Sequence, residues 1–310
     1  MTTASPAPLP RRRLGAREVT AIGLGCMPLS QARMADRRDD AVALVHEALD
    51  SGVRLLDTAN IYAPSWDTVG HNESLVGAAL RTWSGPTHEV TVVTKGGITR
   101  GPGETWGRHG GADAMRRAAE ASLTRLGGDR LAVYLLHRHD PDRPWLEQVR
   151  ALASVQAEGL AESIGLSNVT PAELDVALAE LGGPGDGGVV AVQNEFSPAF
   201  RVDASIVSTC AARGIAFMTW SPLTGAADSA AFTTVADELG VSPQRVALAW
   251  LLGLSPTTLV IPGSTRSQTL LDSLAAATVE LTDEQREVLD ASPSADVSLY
   301  PDDSPRAPLP

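Results

Sequence analysis

Eight short apolar runs of strand-forming residues, each followed by a longer stretch of helical periodicity, recur along the chain without a break. The runs are AIGLGCM (21–27), VRLLDTAN (53–60), VTVVTK (90–95), LAVYLLH (131–137), AESIGLSN (161–168), VVAVQNEF (189–196), IAFMTWSPL (215–223) and TTLVIPGS (257–264). Between them, segments such as RDDAVALVHEALDSG and ADAMRRAAEASLTRLG carry apolar residues at helical spacing. Most close on a glycine suited to the left-handed C-terminal position. Two helical patterns, near 230–240 and 243–254, fill the seventh crossover. QTLLDSLAAA follows the eighth strand, and TDEQREVLDAS makes a last helix with Thr282 as its N-cap.

Eight strands alternating with helices in one undivided chain predict a closed parallel barrel. The competitor is an open doubly wound sheet. GLGCMPLS is not the GxGxxG turn expected there, no helix follows it directly, and no GxxxxGK[ST] occurs. The expected fold is therefore α/β, a single-domain (β/α)8 TIM barrel over residues 13–292, with extra helices in the last crossover and at the C-terminus. Residues 1–12 and 293–310 read as tails, and MTTASPAPLPRRRLG reads as a disordered lead-in.

A net charge of −12, with no basic run beyond Arg11 to Arg13, argues against a nucleic-acid-binding surface. No apolar stretch approaches the ~20 residues that span a bilayer, and the lead-in lacks the apolar core of a secretory signal. The two cysteines, Cys26 and Cys210, offer no disulfide framework and read as small core residues of a cytoplasmic protein.

Chemistry in such barrels sits at the C-terminal ends of the strands. Strand 2 ends with Asp57 and, five residues on, Tyr62; strand 3 ends with Lys95 and strand 4 with His137. Strand 5 ends with Ser167 and Asn168, strand 6 with Gln193, and strand 7 with Trp220 and Ser221. Neighbouring strands lie roughly 5 Å apart, so these ends meet around one pocket. A free tyrosine titrates near ~10, and a nearby ammonium is expected to lower that. Asp57 would hold Lys95 charged through a charge-assisted hydrogen bond. His137 would donate to the oxygen of a bound carbonyl and steer it toward Tyr62. The set is a proton donor aimed at a carbonyl oxygen. It has no carbon-side reactant, which implies a cofactor able to deliver hydride.

HRHD (137–140) contains metal-ligand types, but no third histidine motif accompanies it. No metal is expected, and His139 and Asp140 read as loop-capping residues. Trp66 and Trp106 stand on loops after strands 2 and 3 as candidate pocket walls, and Trp145 reads as packing. GGITRGPGETWGRHGG reads as a mobile lid segment.

Taken in order, LLDTANIY with GHNESLVGAAL, VVTKGG, YLLHRHDP, GLSNV, VQNEFSP, TWSPLTG and VIPGSTR resemble the motifs of the aldo-keto reductases, NAD(P)H-dependent enzymes on a (β/α)8 barrel. The resemblance runs from about residue 13 to 292. It implies a tetrad of Asp57, Tyr62, Lys95 and His137 with Tyr62 as general acid. It also implies that Ser167, Asn168 and Gln193 hold the nicotinamide carboxamide and that Trp220 stacks on the ring. Ser221 and Leu223 would lie under the pyrophosphate, with Gly263, Ser264 and Arg266 near the adenosine phosphate. Arg266 suits a 2′-phosphate, favouring NADPH over NADH. Two positions depart from the pattern: Trp220 stands where many members carry tyrosine, and Asp272-Ser273 where many carry Glu-Asn. Asp272 is carried over as the adenine-side contact.

The function so implied is NADPH-dependent reduction of an aldehyde or ketone, with a small-molecule carbonyl compound as partner. Other readings stay open from sequence: a Schiff-base aldolase using Lys95, a metal-dependent hydrolase, a reductase-like nucleotide-binding regulatory subunit, or a keto-sugar reductase of secondary metabolism. Loops at 64–70, 96–110 and 224–229 and the segment 293–310 would set the substrate. The short C-terminal segment suggests an open pocket. Oligomeric state is not readable.

Overall fold

Each of the eight apolar runs forms a strand, in all but the third shorter than the run that announces it. The structure, a computed structural model, describes residues 8–202, 204–295 and 298–300. Its strands are β1 (Arg11–Leu14), β2 (Arg17–Thr20), β3 (Leu24–Gly25), β4 (Leu55–Asp57), β5 (Thr91–Gly96), β6 (Ile98–Gly101), β7 (Thr105–Arg108), β8 (Leu131–Leu136), β9 (Ala161–Ser167), β10 (Val189–Glu195), β11 (Ala216–Trp220) and β12 (Thr258–Val260). Its helices are α1 (Arg38–Asp50), α2 (His71–Thr82), α3 (Ala112–Leu126), α4 (Trp145–Ala157), α5 (Pro171–Leu181), α6 (Ser205–Arg213), α7 (Ala230–Leu239), α8 (Pro243–Gly253), α9 (Ser267–Leu274) and α10 (Asp283–Asp290).

Eight strands form one parallel sheet in the order β12-β11-β10-β9-β8-β5-β4-β3. The outer two meet through parallel bridges, Ile22 to Val260 and Gly25 to Gly263, which close the barrel. The seam is tight at Gly25, where a Cβ would stand 2.6 Å from the Ile261 carbonyl oxygen, so only glycine fits.

Helix positions follow from their apolar stripes. α1 buries Ala41, Leu44, Val45, Ala48 and Leu49, spaced at alternating steps of about 3 and 1 residues as one helix face requires. Thr282 caps α10 as expected: its Oγ1 accepts from Gln285 N while the Gln285 side chain accepts from Thr282 N. Gly214 and Gly240 end α6 and α7 in the left-handed conformation.

Inside the barrel, Leu55, Val93, Val133, Leu135, Ala191, Ala216, Met218 and Leu259 form an apolar layer. Leu14 and Val19 belong to the same layer. They come from the β1–β2 hairpin, which closes the N-terminal end of the barrel. This overturns the reading of residues 8–14 as disordered lead-in, and Arg11 and Arg12 are strand rather than tail. Arg12 fixes the hairpin. Its guanidinium donates to the carbonyls of Leu252 (2.7 Å), Ser255 (2.9 Å) and Thr258, supplying a cation where α8 ends with unpaired carbonyls. Residues 1–7 and 301–310 of the expected tails lie outside the described residues.

A second difference concerns GGITRGPGETWGRHGG. It is an antiparallel hairpin, β6–β7, paired from Ile98–Arg108 to Gly101–Thr105. Arg100 ties it to the loop after β4 by donating to the carbonyls of Ala63 (2.7 Å) and Pro64 (3.3 Å), while Trp66 N donates to Glu104. The threonines and arginines between its glycines complete a ladder and lateral bonds that a loop would lack.

Candidate active site

Alternation of two along a strand explains how the polar set is assembled. Leu55, Val93 and Leu135 are inward, so Asp57, Lys95 and His137, two residues on, are the next inward positions toward the C-terminal mouth. The same step carries Ala191 to Gln193 and Met218 to Trp220. Above the apolar layer these strands present polar and aromatic groups, with Ile261, two residues on from Leu259, as the aliphatic member. They open on a cavity of about 710 Å³ lined by Asp57, Tyr62, His137, Asn168, Gln193 and Trp220, among others.

Lys95 is fully buried and donates to Asp57 Oδ1 (2.8 Å), to the Thr58 carbonyl (2.8 Å) and to Tyr62 Oη (3.5 Å). Burial pulls its pKa down, but the charge and hydrogen bonds of Asp57 and Tyr62 outweigh this and hold it above the ordinary lysine value. Lys95 is thus a permanent ammonium, sealed from solvent, and unsuited to Schiff-base chemistry. Burial raises the Tyr62 phenol, with Lys95 opposing only in part, so the net direction is upward. That corrects the expectation of a lowered phenol: desolvation of the phenolate exceeds the attraction of one ammonium. Tyr62 is stored as a protonated acid.

The ring of Tyr62 lies 5.8 Å from that of His137, edge to face. Burial, followed by the charges of Lys95, Arg138 and Arg108, drives the His137 pKa well below its usual value, so the imidazole is neutral. Its Nδ1 is buried with no hydrogen-bond partner among the described residues. An orphaned acceptor costs less than an orphaned N–H, so the proton belongs on Nε2, the nitrogen left to serve the cavity.

The loop bearing Tyr62 is held from below. Thr58 Oγ1 donates to Asn72 Oδ1 (2.6 Å), and Asn72 Nδ2 donates to the Cys26 carbonyl (2.7 Å) and Ser30 Oγ (2.8 Å). Asn72 at the start of α2 thus ties the ends of β3 and β4 together, a role that its polarity inside an otherwise amphipathic helix could have signalled. Glu73 beside it is equally buried, accepting from Thr94 Oγ1 (2.6 Å) and Arg125 Nη1 (3.0 Å).

The residues assigned to the dinucleotide cofactor divide into two groups. Ser167, Asn168, Gln193, Trp220, Ser221 and Gly263 all line the cavity. Asn168, with left-handed φ of +58°, donates to the His137 carbonyl (3.0 Å) and accepts from Trp220 Nε1 (3.0 Å), fixing the indole in the wall. Ser221 is also left-handed, at φ +50°. Gln193 Nε2 donates to Asp57 Oδ2 (2.7 Å), so both carboxylate oxygens have donors. No donor to Gln193 Oε1 occurs among the described residues. Leu223, Ser264, Arg266 and Asp272 do not line this cavity. Arg266 is exposed just ahead of α9, in no ion pair among the described residues. Asp272 is paired with Arg245 and accepts from Ser242 Oγ (2.5 Å), so it is engaged within the protein rather than standing free as an adenine contact.

Sequence reasoning passed over Arg100, Arg108, Arg138 and Tyr300, all of which line the cavity. Tyr300 packs on Trp220 (5.9 Å between rings), and Leu299 N donates to Glu195 (3.2 Å), so residues 298–300 narrow a mouth expected to be open. Trp106 lines the cavity as expected, whereas Trp66 does not. Trp145 is fully buried and stacks on His139. Asp140 caps its loop by accepting from Asp142 N (3.1 Å) and ties it to the segment before α3 by accepting from Gly110 N (2.9 Å), and His139 pairs with Glu173 (2.8 Å) instead of facing the site. No group of three metal-ligating side chains occurs among the described residues, and no helix among them is long and apolar enough to cross a membrane.

Residues 21–292 match the family model described as Aldo/keto reductase family. A pyridoxine 4-dehydrogenase of Escherichia coli (strain K12) is 33% identical over 290 residues, covering 89% of this chain and 96% of its own. A Klebsiella pneumoniae aldo/keto reductase solved with NADP and acetate superposes with a TM-score of 0.75 at 28% identity, covering 91% of this chain and 94% of its own. Another from the same organism, solved with NADPH, gives 0.76 at 27% identity, covering 94% and 98%.

Proposed function

Because this chain belongs to the aldo/keto reductase family, we propose that it reduces a small aldehyde or ketone with NADPH, Tyr62 giving the proton. The observation that carries this reading is the chain of contacts from Asp57 through Lys95 Nζ to the Tyr62 hydroxyl, with neutral His137 across the same cavity.

The residues fit a dinucleotide. Trp220 offers a fixed aromatic wall, and Gln193 Oε1, without a donor among the described residues, suits a carboxamide N–H. Exposed Arg266 at the start of α9 suits a 2′-phosphate, which favours NADPH over NADH. Asp272 acts there at most through Arg245. When bound, the reduced nicotinamide supplies a hydride to the carbonyl carbon. Tyr62 holds its proton until negative charge develops on the carbonyl oxygen, then transfers it from Oη. The resulting phenolate is stabilised by the ammonium of Lys95, which Asp57 keeps charged and aimed. His137 donates from Nε2 and fixes the oxygen toward Tyr62 without competing as an acid.

Purified protein assayed for NADPH oxidation over a panel of aldehydes and ketones tests the proposal. Pyridoxal is included because the E. coli relative is a pyridoxine dehydrogenase. Turnover with NADPH in preference to NADH is expected. Failure to bind either nucleotide would sink it.

A further inference from the structure

Each nitrogen of the Arg100 guanidinium has a partner. Nε donates to Glu104 Oε2 (2.5 Å), Nη1 to the Ala63 carbonyl (2.7 Å) and Nη2 to the Pro64 carbonyl (3.3 Å). Although it lines the cavity, Arg100 is therefore a bridge between two segments and not a docking point for substrate. One segment is its own hairpin, β6–β7. The other follows Tyr62 directly, since Ala63 and Pro64 are the next two residues. Glu104 Oε1 reaches the same segment by accepting from Trp66 N (3.0 Å). Ahead of the tyrosine, Ile98 at the start of β6 packs with Ala59 and Ile61 in a small apolar cluster on which Tyr62 lies. The hairpin thus grips the loop on both sides of the proton donor.

Glu104 holds a φ of +60°, a left-handed conformation that costs a non-glycine residue free energy. In that conformation its carboxylate meets Arg100 and Trp66 N at once. Arg100 also lies five residues beyond Lys95, where β5 passes into β6 through Gly97 at φ +100°. The run that sends an ammonium to the Tyr62 hydroxyl thus sends a guanidinium to the backbone just past it. The same guanidinium lies 5.0 Å from the centre of the Trp106 ring, so the proton donor and one wall of the cavity share a tether.

Taking the reductase reading as given, we propose that Arg100 is a positioning residue for the proton donor: with Glu104 and Ile98 it clamps the loop that carries Tyr62 and so sets where the phenol meets the carbonyl oxygen. Lys95 meets the hydroxyl at 3.5 Å, too long a contact to fix the ring alone. Proton transfer needs heavy atoms ~2.6–3.2 Å apart, and a displacement of ~1 Å can cost ~10²-fold.

Arg100→Met keeps an unbranched stem against Trp106 and removes the donors. On whichever panel carbonyl turns over fastest, kcat should fall ~10-fold or more, with NADPH affinity by fluorescence titration unchanged. Arg100→Lys, which keeps the charge without the fork, should recover part of the loss. The deciding readout is the double variant. In Tyr62→Phe, which has no proton to place, Arg100→Met should lower kcat by less than ~2-fold, because residues that act as a unit do not add. An equal loss in both backgrounds, or none in the parent, overturns the proposal. Should Arg100→Met fail to fold, Glu104→Gln gives the same comparison at an exposed site. A kcat loss that is absent in Tyr62→Phe supports the clamp, and an unchanged kcat rejects it. If no carbonyl turns over, the reductase reading fails separately, and amide hydrogen exchange still decides the clamp. Faster exchange across residues 59–70 in Arg100→Met, with β8 and β9 unaltered, supports it; unchanged exchange there rejects it.

Discussion

At the residue scale the site depends on one buried ammonium. Replacing Lys95 by Met leaves Asp57 buried with Gln193 as its side-chain donor and removes the charge that stabilises the phenolate. The expected loss is at least ~10²-fold in kcat, the range of a general-acid contribution, with nucleotide affinity little changed by fluorescence titration. Retained activity in Lys95→Met would mean that Tyr62 is not assisted by this charge. His137 adds a pH dependence to stability. Its native pKa lies well below the unfolded value of 6.5, so the two states bind protons equally above that value. As pH falls through 6.5 the unfolded chain takes up a proton that the native imidazole refuses, and stability declines by up to ~1.4 kcal/mol per pH unit until the native group titrates. Urea midpoints followed from pH 7.5 to 5 should show this decline, and His137→Gln should flatten it. Arg266 has a separate consequence: Arg266→Gln should raise KM for NADPH by ~10-fold or more while leaving KM for NADH unchanged, as loss of a phosphate partner requires. Equal effects on both nucleotides would place Arg266 away from the 2′-phosphate.

At the element scale, the parts of the site legible in sequence are those that a strand positions. Asp57, Lys95 and His137 could be read because each follows an inward apolar residue by two, and the side-chain period along a strand leaves one choice of face. What the sequence hid lies on hairpins. RRRLG looks like the end of a polar lead-in because Leu14 is its one residue in the barrel's apolar layer, and its tether is a guanidinium reaching carbonyls 240 and more residues away. Arg12→Ala should therefore lower stability by about 2 kcal/mol, from lost charge-assisted bonds and an uncapped α8, without changing KM. An unaltered denaturation midpoint would show the hairpin to be held by Leu14 and Val19 alone. Arg108 and Arg138 were likewise unreadable. No local pattern says that a charge on a glycine-rich segment and one next to His137 will line the same cavity until β6–β7 is folded over it.

At the scale of the whole molecule, barrel closure brings together groups from β4, β5, β8, β10 and β11, and none of them is functional alone. Closure rests on parallel bridges between β3 and β12 at a seam where glycine is obligatory, so the account makes the catalytic set and the fold one cooperative object. A chelator should leave turnover unchanged, since the chemistry assigned to Tyr62, Lys95 and His137 requires no Lewis acid. Inhibition by EDTA reversed by metal would argue for the hydrolase reading instead. The most direct test of the central claim is NADPH oxidation by Tyr62→Phe beside the parent protein, with nucleotide binding measured on both. The account predicts undiminished NADPH binding and a kcat lower by ~10²- to 10⁴-fold, since only the transferable proton is removed. A Tyr62→Phe protein that still reduces the same carbonyl at the parent rate would contradict it.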